Sequence, residues 1–341
     1  MTKKVSIKDV AERAGVSTTT VSHVLNDVPG KRINSDTRVR VREAADALGY
    51  QPNGVARSLR LQRSQILALV SDEIATTPHA GKIILGAQEA ASRHGWLLML
   101  VNSGGDAHVE GQEIQALRRR QVDGFIYATM YHREVAVPEV LRDVPTVLLD
   151  ARADDPAYAS VVPDEVDGGR TATRILVEAG HRRIGFACNV DDIPATRGRL
   201  DGYRQELEAG GMAYDDRLVV AATSDAAGGR EAGRRLLGLE HRPTAIFCFN
   251  DRMAMGVYQA AAELGLRIPH DLSVVGFDDQ ELIADGLLPG LTTVALPHHE
   301  MGAWAVDTLI DQIEADTTDR PRVRLLCPAV ERGSVAAPPA Q

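Results

Sequence analysis

Thr18, Thr19, Ser22 and His23 sit at i, i+1, i+4 and i+5, so a helix gathers them on one side. Each carries a short polar group. Hydroxyls and imidazole both donate and accept hydrogen bonds, the chemistry that reads base edges and phosphates in a DNA groove. Val21, Val24 and Leu25 fall on the opposite, inward side, and Ser17 stands where it can cap the helix. Upstream, Ile7, Val10, Ala11 and Ala14 recur at i, i+3, i+4 and i+7, which predicts a first helix. Ser6 and Asp9 have the spacing of a capping box, and Gly15 can take the left-handed conformation that ends the helix. Two short helices around a glycine corner make a helix-turn-helix, whose second helix enters the major groove. The same spacing also fits a plain helical hairpin, so the rest of the chain has to decide.

Charge supports the first reading. The 341 residues carry a net −9, yet residues 1–63 hold 12 Lys and Arg against 6 Asp and Glu, a net +6 that leaves −15 for the remainder. A basic head suits a polyanion, and an acidic body suits a different task. The length predicts two or three domains, and 44% hydrophobic with 25% charged residues is ordinary for a globular chain. No apolar run has the length of a membrane span, and the first ten residues lack the apolar core of a secretory signal, so a cytoplasmic protein with no membrane partner is expected. Cys188, Cys248 and Cys327 lie far apart and read as buried thiols, not as a disulfide or metal set.

Residues 1–49 form the head. Its third helix is expected to start from Ser35, with Val39, Ala45 and Leu48 turned inward. Residues 50–63 form a linker in which Asn53 could cap a short helix holding Val55, Ala56, Leu59 and Arg60. So short a helix is unstable alone, and a leucine among arginines gains nothing in solvent. From residue 65 the pattern alternates. Strands are predicted at 66–70, 96–101, 123–128 and 145–150, with helices at 82–94 and 109–120. A second series has helices at 168–179, 199–209, 229–237 and 252–264, and strands at 183–187, 218–221, 244–249 and 272–277. Two such series mean two doubly wound parallel sheets, whose ligands bind beyond the carboxyl ends of the strands and between the lobes.

Taken together the chain resembles the LacI/GalR family of bacterial transcription regulators. The likeness lies in IKDVAERAGVSTTTVSHVLN, GYQPNGVARSLR, SVVPDEVDGGRTATRILVEAGHRRIGF, RLDGY, FNDRMAMGV and IPHDLSVVGFDD, in that order. It implies an all-α helix-turn-helix head on a two-lobed, periplasmic-binding-protein-like α/β core. The implied domains are 1–49, a hinge at 50–63 and a core at 64–341. The core's N-lobe takes about 64–162 and 293–323, and its C-lobe about 163–292 and 324–335. A homodimer reading a palindromic double-stranded DNA operator is implied. Ser17, Thr18, Thr19, Ser22, His23 and Asn26 would contact DNA from the head, and Asn53, Ala56, Leu59 and Arg60 from a hinge that folds on DNA. Leu59 matches the wedge that kinks the duplex in the minor groove.

The resemblance also implies a small-molecule effector held by Asp150, Arg199, Asn250 and Asp278, with His79 and Asp72 as lesser contacts. Their forked donors and carboxylate acceptors suit the vicinal hydroxyls of a sugar. Asp164 in the crossover motif reads as structural or signalling. Near Ser224 no aromatic ring offers the stacking surface common in relatives, and Ile193 stands where purine-responsive members carry a ligand-binding arginine. Both departures point away from a purine and toward a carbohydrate. Effector release of DNA is expected, with a corepressor of non-sugar type as the alternative. A transport protein and a doubly wound enzyme are the rivals; the chain has no P-loop, dinucleotide fingerprint or nucleophile elbow. No cofactor or metal is expected. The tail lacks leucine heptads, which argues against a tetramerising coiled coil.

Overall fold

The structure is a computed structural model and describes residues 5–25, 30–50, 63–77, 80–315 and 317–339. The chain divides into two compact units, Met1–Ser64 and Gln65–Gln341.

In the first unit, α1 (Ile7–Ala14) opens on the expected box: the Ser6 amide donates to Asp9 Oδ2 at 2.7 Å. Gly15, at φ 66°, closes it. For α2 (Thr18–Leu25), Ser17 Oγ accepts from the Thr20 amide at 3.1 Å. Helix α3 (Ser35–Leu48) departs from expectation. Its cap is Asn34, whose side chain accepts from the Asp36 amide, and Ser35 is already helical. Val39 points to solvent at 53% exposure, and Val41 takes the core position with Ala44 and Ala45. Val10, Ala11, Ala14, Val21 and Val24 complete this small core.

In the second unit, six strands run parallel in the order β11-β5-β4-β3-β1-β2, and four more in the order β7-β6-β8-β9. The first sheet holds β1 (Ile66–Ser71), β2 (Leu97–Asn102), β3 (Gly124–Glu134), β4 (Thr146–Arg152), β5 (Ala159–Pro163) and β11 (Arg322–Leu325). Helices α4 (Gly81–Arg93) and α5 (Ala107–Arg119) cover it, joined late in the chain by α11 (His298–Glu314). The second sheet holds β6 (Ile184–Asn189), β7 (Val219–Ala222), β8 (Ala245–Cys248) and β9 (Ser273–Val275). Around it lie α6 (Glu165–Glu178), α7 (Pro194–Ala209), α8 (Ala226–Leu237), α9 (Asp251–Glu263) and the short α10 (Glu281–Ala284). Strands β4, β6 and β8 are buried along almost their whole length, as parallel strands covered on both faces must be. The three cysteines are buried and free.

The lobe boundaries differ from expectation by a few residues. β11 pairs with β5 as far as Leu325, so the N-lobe keeps residues 324–325. β10 (Thr293–Val294) pairs with β12 (Ala329–Val330), and Asp278 bridges to Ala295, so 293–295 lie with the C-lobe. The helix starts also shift. α6 begins at Glu165 and α7 at Pro194, several residues before the apolar pattern announces them. First turns are polar and proline-tolerant, so apolar spacing reads them late. α6 and α7 cross with almost nothing between them: a Cβ on Gly202 would collide with the Val166 carbonyl.

Candidate effector cleft and DNA-reading face

Ser17, Thr18 and Thr19 are exposed at the start of α2, and Ser22 and His23 are half-buried one turn on. With Val21 and Val24 fully buried, the helix divides into an anchored side and a polar side, as a base-reading helix requires. Asn26 and the hinge residues Asn53, Ala56, Leu59 and Arg60 lie outside the described residues, as does His79.

Between the lobes, strand ends converge on a small cavity. β3 contributes Met130, Tyr131 and His132, β4 contributes Asp150, α6 contributes Glu165, α7 contributes Arg199, and the segments after β8 and β9 contribute Phe249, Asn250 and Asp278. Its volume is about 30 Å³. That is room for one water and far below the ~300 Å³ of small-molecule sites, so a sugar enters only if these side chains move apart.

Arg199 is the centre. It sits on the buried face of α7, one turn inside a helix that the sequence expects to begin at this residue. Its Nε donates to Glu165 Oε2 at 2.8 Å, and one terminal nitrogen reaches the Phe249 carbonyl at 2.5 Å and Asp278 Oδ1 at 3.4 Å. The guanidinium lies over the rings of Phe277 and Phe249, 3.7 and 4.4 Å from their centroids. Burial alone would weaken its charge, but Glu165 and Asp278 outweigh this and hold its pKa above the ordinary value. Burial likewise works against the Glu165 carboxylate, and Arg199 with the His132 ring reverses the balance, so its pKa is lowered.

Asp150 is the odd member. Only 2% exposed, it has no hydrogen-bond partner for Oδ1. Burial and then the Glu165 charge push its pKa well up, with Arg199 opposing. Its backbone is left-handed at φ 55°, and that of Asp278 stands at φ 103°. Such conformations cost about 1–3 kcal/mol in residues with a Cβ and collect at functional sites. Thr129 Oγ1 holds the Asp150 carbonyl at 2.7 Å.

The remaining expected positions separate. Asn250 lines the cavity, but its amide is engaged at both ends: Oδ1 caps α9 by accepting from the Met253 amide, and Nδ2 donates to the Ser224 carbonyl. Asp72 is tied up within the N-lobe, where it pairs with Arg133 and accepts from the Met130 amide; it is not among the residues that line the cavity. Asp164 caps α6 through the Asp167 amide. Sequence reasoning missed Glu165, His132 and the stacking Phe277 and Phe249. It also placed the end of β3 at 128, whereas the strand continues past an irregularity to Glu134 and carries Tyr131 and His132 into the cleft. The ring missing near Ser224 therefore has counterparts, in Phe249 and Tyr131. Among the described residues no helix is long and apolar enough to cross a membrane.

Known proteins share this two-part architecture. Residues 6–53 match the family described as bacterial regulatory proteins, lacI family, and residues 173–335 match the periplasmic binding protein-like domain. The chain is 34% identical over 331 residues to the ribose operon repressor of Escherichia coli (strain K12), covering 96% of this chain and 99% of that one. It is 34% identical over 334 residues to the HTH-type transcriptional repressor PurR of Vibrio atlanticus (strain LGP32), covering 97% and 98%. The lac repressor dimer bound to operator and the anti-inducer ONPF superposes with a TM-score of 0.78 at 27% identity, covering 98% of this chain and 100% of that one. A head with a polar-faced second helix, a two-lobed core and near full-length similarity lead to one conclusion: the chain belongs to the lacI family of bacterial regulatory proteins.

Proposed function

We propose that this DNA-binding regulator is a cytoplasmic repressor that grips a palindromic operator as a homodimer and lets go when a small carbohydrate occupies the cleft. Thr18, Thr19 and Ser17 read or position bases from the exposed start of α2, Ser22 and His23 support them, and Asn26 is a further DNA contact. Asn53, Ala56, Leu59 and Arg60 act from the hinge. In the cleft, Arg199, Asp150 and Asp278 are the primary effector contacts, and Asn250 supplies what its capping role leaves over. Asp72 serves by holding Arg133, and His79 is a lesser effector contact.

One observation carries the carbohydrate reading: a guanidinium fixed between two rings faces carboxylates, one of them with a buried oxygen lacking a donor. A ring of vicinal hydroxyls can donate to Asp150 and Asp278 and lay its apolar face on Phe249 or Tyr131. The equal identities to a ribose repressor and to PurR leave the effector class to the site itself. Ile193 packs against the C-lobe core and offers a base no polar group. The site binds and does not catalyse: Arg199 is held rigidly, and its role is to sense whether the lobes are shut.

Effector acts only through its different affinities for the two states. The test is operator binding by fluorescence anisotropy with the DNA upstream of the regulated promoter. Affinity should fall steeply with salt and fall again on adding one of D-ribose, D-glucose, D-galactose or cellobiose. A salt-insensitive complex, or release by hypoxanthine and by none of the sugars, would overturn the reading.

A further inference from the structure

We propose that Asp251 and Gln280 form a positioning pair that orients the Asp278 carboxylate and so sets which sugar the cleft accepts. The inference rests on the carbohydrate reading above, in which Asp278 is an effector contact.

Neither residue of the pair is among those that line the cavity, so neither is itself offered to a ligand. Asp251, the first residue of α9, is 0% exposed, and Gln280 is buried as well. Gln280 Nε2 donates to Asp278 Oδ2 at 2.8 Å, while the other oxygen, Oδ1, faces Arg199 at 3.4 Å. The carboxylate is thus held at both oxygens. Its remaining lone pairs are fixed in direction, which an acceptor needs if it is to tell one arrangement of hydroxyls from another.

Gln280 is in turn held by Asp251. The Gln280 amide donates to Asp251 Oδ2 at 2.7 Å, and Thr293 Oγ1 of β10 donates to Oδ1 at 2.7 Å. The Asp251 amide donates to the Phe277 carbonyl at 2.9 Å, so this one residue grips the chain on both sides of Asp278. The turn requires such a grip. Asp278 and Asp279 follow one another in the left-handed region, at φ 103° and 54°, where residues with a Cβ stay only if their surroundings hold them. Gly276 leaves room for the carboxylate, since a Cβ there would run into Asp251 Oδ1. Burial and then the Asp278 charge push the Asp251 pKa well up. Asparagine carries no charge at this position and can keep both bonds, accepting from the Gln280 amide and donating to Thr293 Oγ1.

The test is calorimetry on the full-length protein with D-ribose, D-glucose, D-galactose and cellobiose. Gln280→Leu keeps the bulk and removes the donor, Asp251→Ala removes both bonds, and Asp251→Asn keeps them. In the first two variants the tightest sugar should bind at least about 10-fold more weakly, the worth of one hydrogen bond to a charged group. The spread of affinities across the sugars should narrow with it, because a carboxylate free to turn accepts from hydroxyls in more than one arrangement. Asp251→Asn should stay within about 3-fold of wild type, because no bond is lost. Gln280→Leu decides the matter by itself should Asp251→Ala fail to fold. Wild-type binding by Gln280→Leu, an equal loss for every sugar, or an Asp251→Asn protein as weak as Asp251→Ala overturns the positioning role and leaves the carbohydrate reading intact. If the wild-type protein binds none of these sugars, the carbohydrate reading fails and the inference fails with it.

Discussion

Glu165 and Arg199 meet at 2.8 Å with both side chains only 4% exposed, one from the first turn of α6 and the other from one turn inside α7. The pair is the joint where the crossover between the lobes touches the floor of the cleft, and His132 from the N-lobe stands 3.7 Å from the other Glu165 oxygen. A buried pair of this kind is weak evidence for stability taken whole, but breaking it strands a charge.

Arg199→Ala should therefore cost the core about 3–5 kcal/mol in urea unfolding, because Glu165 and Asp278 lose their shared cation. Arg199→Lys should recover only part of that. An ammonium cannot bond Glu165 and the Phe249 carbonyl as a flat fork while lying between two rings. Full recovery by lysine would show that charge alone matters there.

Asp150→Asn should stabilise the fold while it weakens effector binding. The folded pKa of Asp150 is raised, so above the ordinary carboxylate range of 3.8 the folded state holds a proton that the unfolded chain releases. Stability from this group is full at low pH and is lost as pH rises toward the raised value. Asparagine removes the penalty and tolerates the left-handed backbone. The gain in Tm over wild type should widen from about pH 4 upward and reach about 2 °C or more, a shift worth about 1 kcal/mol in a domain of this size. A gain that stays flat with pH would sink the account. Effector affinity in the wild type should rise with pH over the same window, since a hydroxyl donor favours the ionised carboxyl.

Much of this arrangement is legible in the sequence, and the failures have physical causes. The capping box at Ser6 and Asp9 and the glycine corner are local, so spacing alone reveals them. In α3, Val41, Ala44, Ala45 and Leu48 make a full i, i+3, i+4, i+7 set, and Val39 falls outside it, so apolar character alone does not mark the inward face. Glu165 is harder. An acidic residue in a first turn is ordinary for the helix dipole, and nothing local tells that it faces an arginine 34 residues on. Asn250 shows the reverse case: a position that reads as a ligand contact is also a helix cap, and the two roles compete for the same amide.

Gly202→Ala should impair the cleft without touching it. Its Cβ would run into the Val166 carbonyl and the backbone of α6, so the two helices must part. Overpacking of this kind costs about 1–3 kcal/mol and moves Glu165 away from Arg199. Effector affinity in calorimetry should drop, and a structure of the variant should show a lengthened Glu165–Arg199 contact. An unchanged Kd would mean that the helices separate at no cost to the site.

Gly15 offers the corresponding test in the head. At φ 66° it turns the chain from α1 into α2, and a Cβ there meets no atom within 4 Å. The expected cost of Gly15→Ala is therefore conformational alone, about 1–2 kcal/mol. Asparagine, which enters the left-handed region more readily, should cost less. A head whose fully buried residues, among those described, are valines and alanines has little stability to spare, so operator affinity should fall in the order glycine, asparagine, alanine. Because the head and the core are separate compact units, calorimetric effector binding should stay at the wild-type value in both variants. Equal operator affinity in all three proteins would mean that the corner is not under left-handed constraint and that α2 is set in place by other contacts.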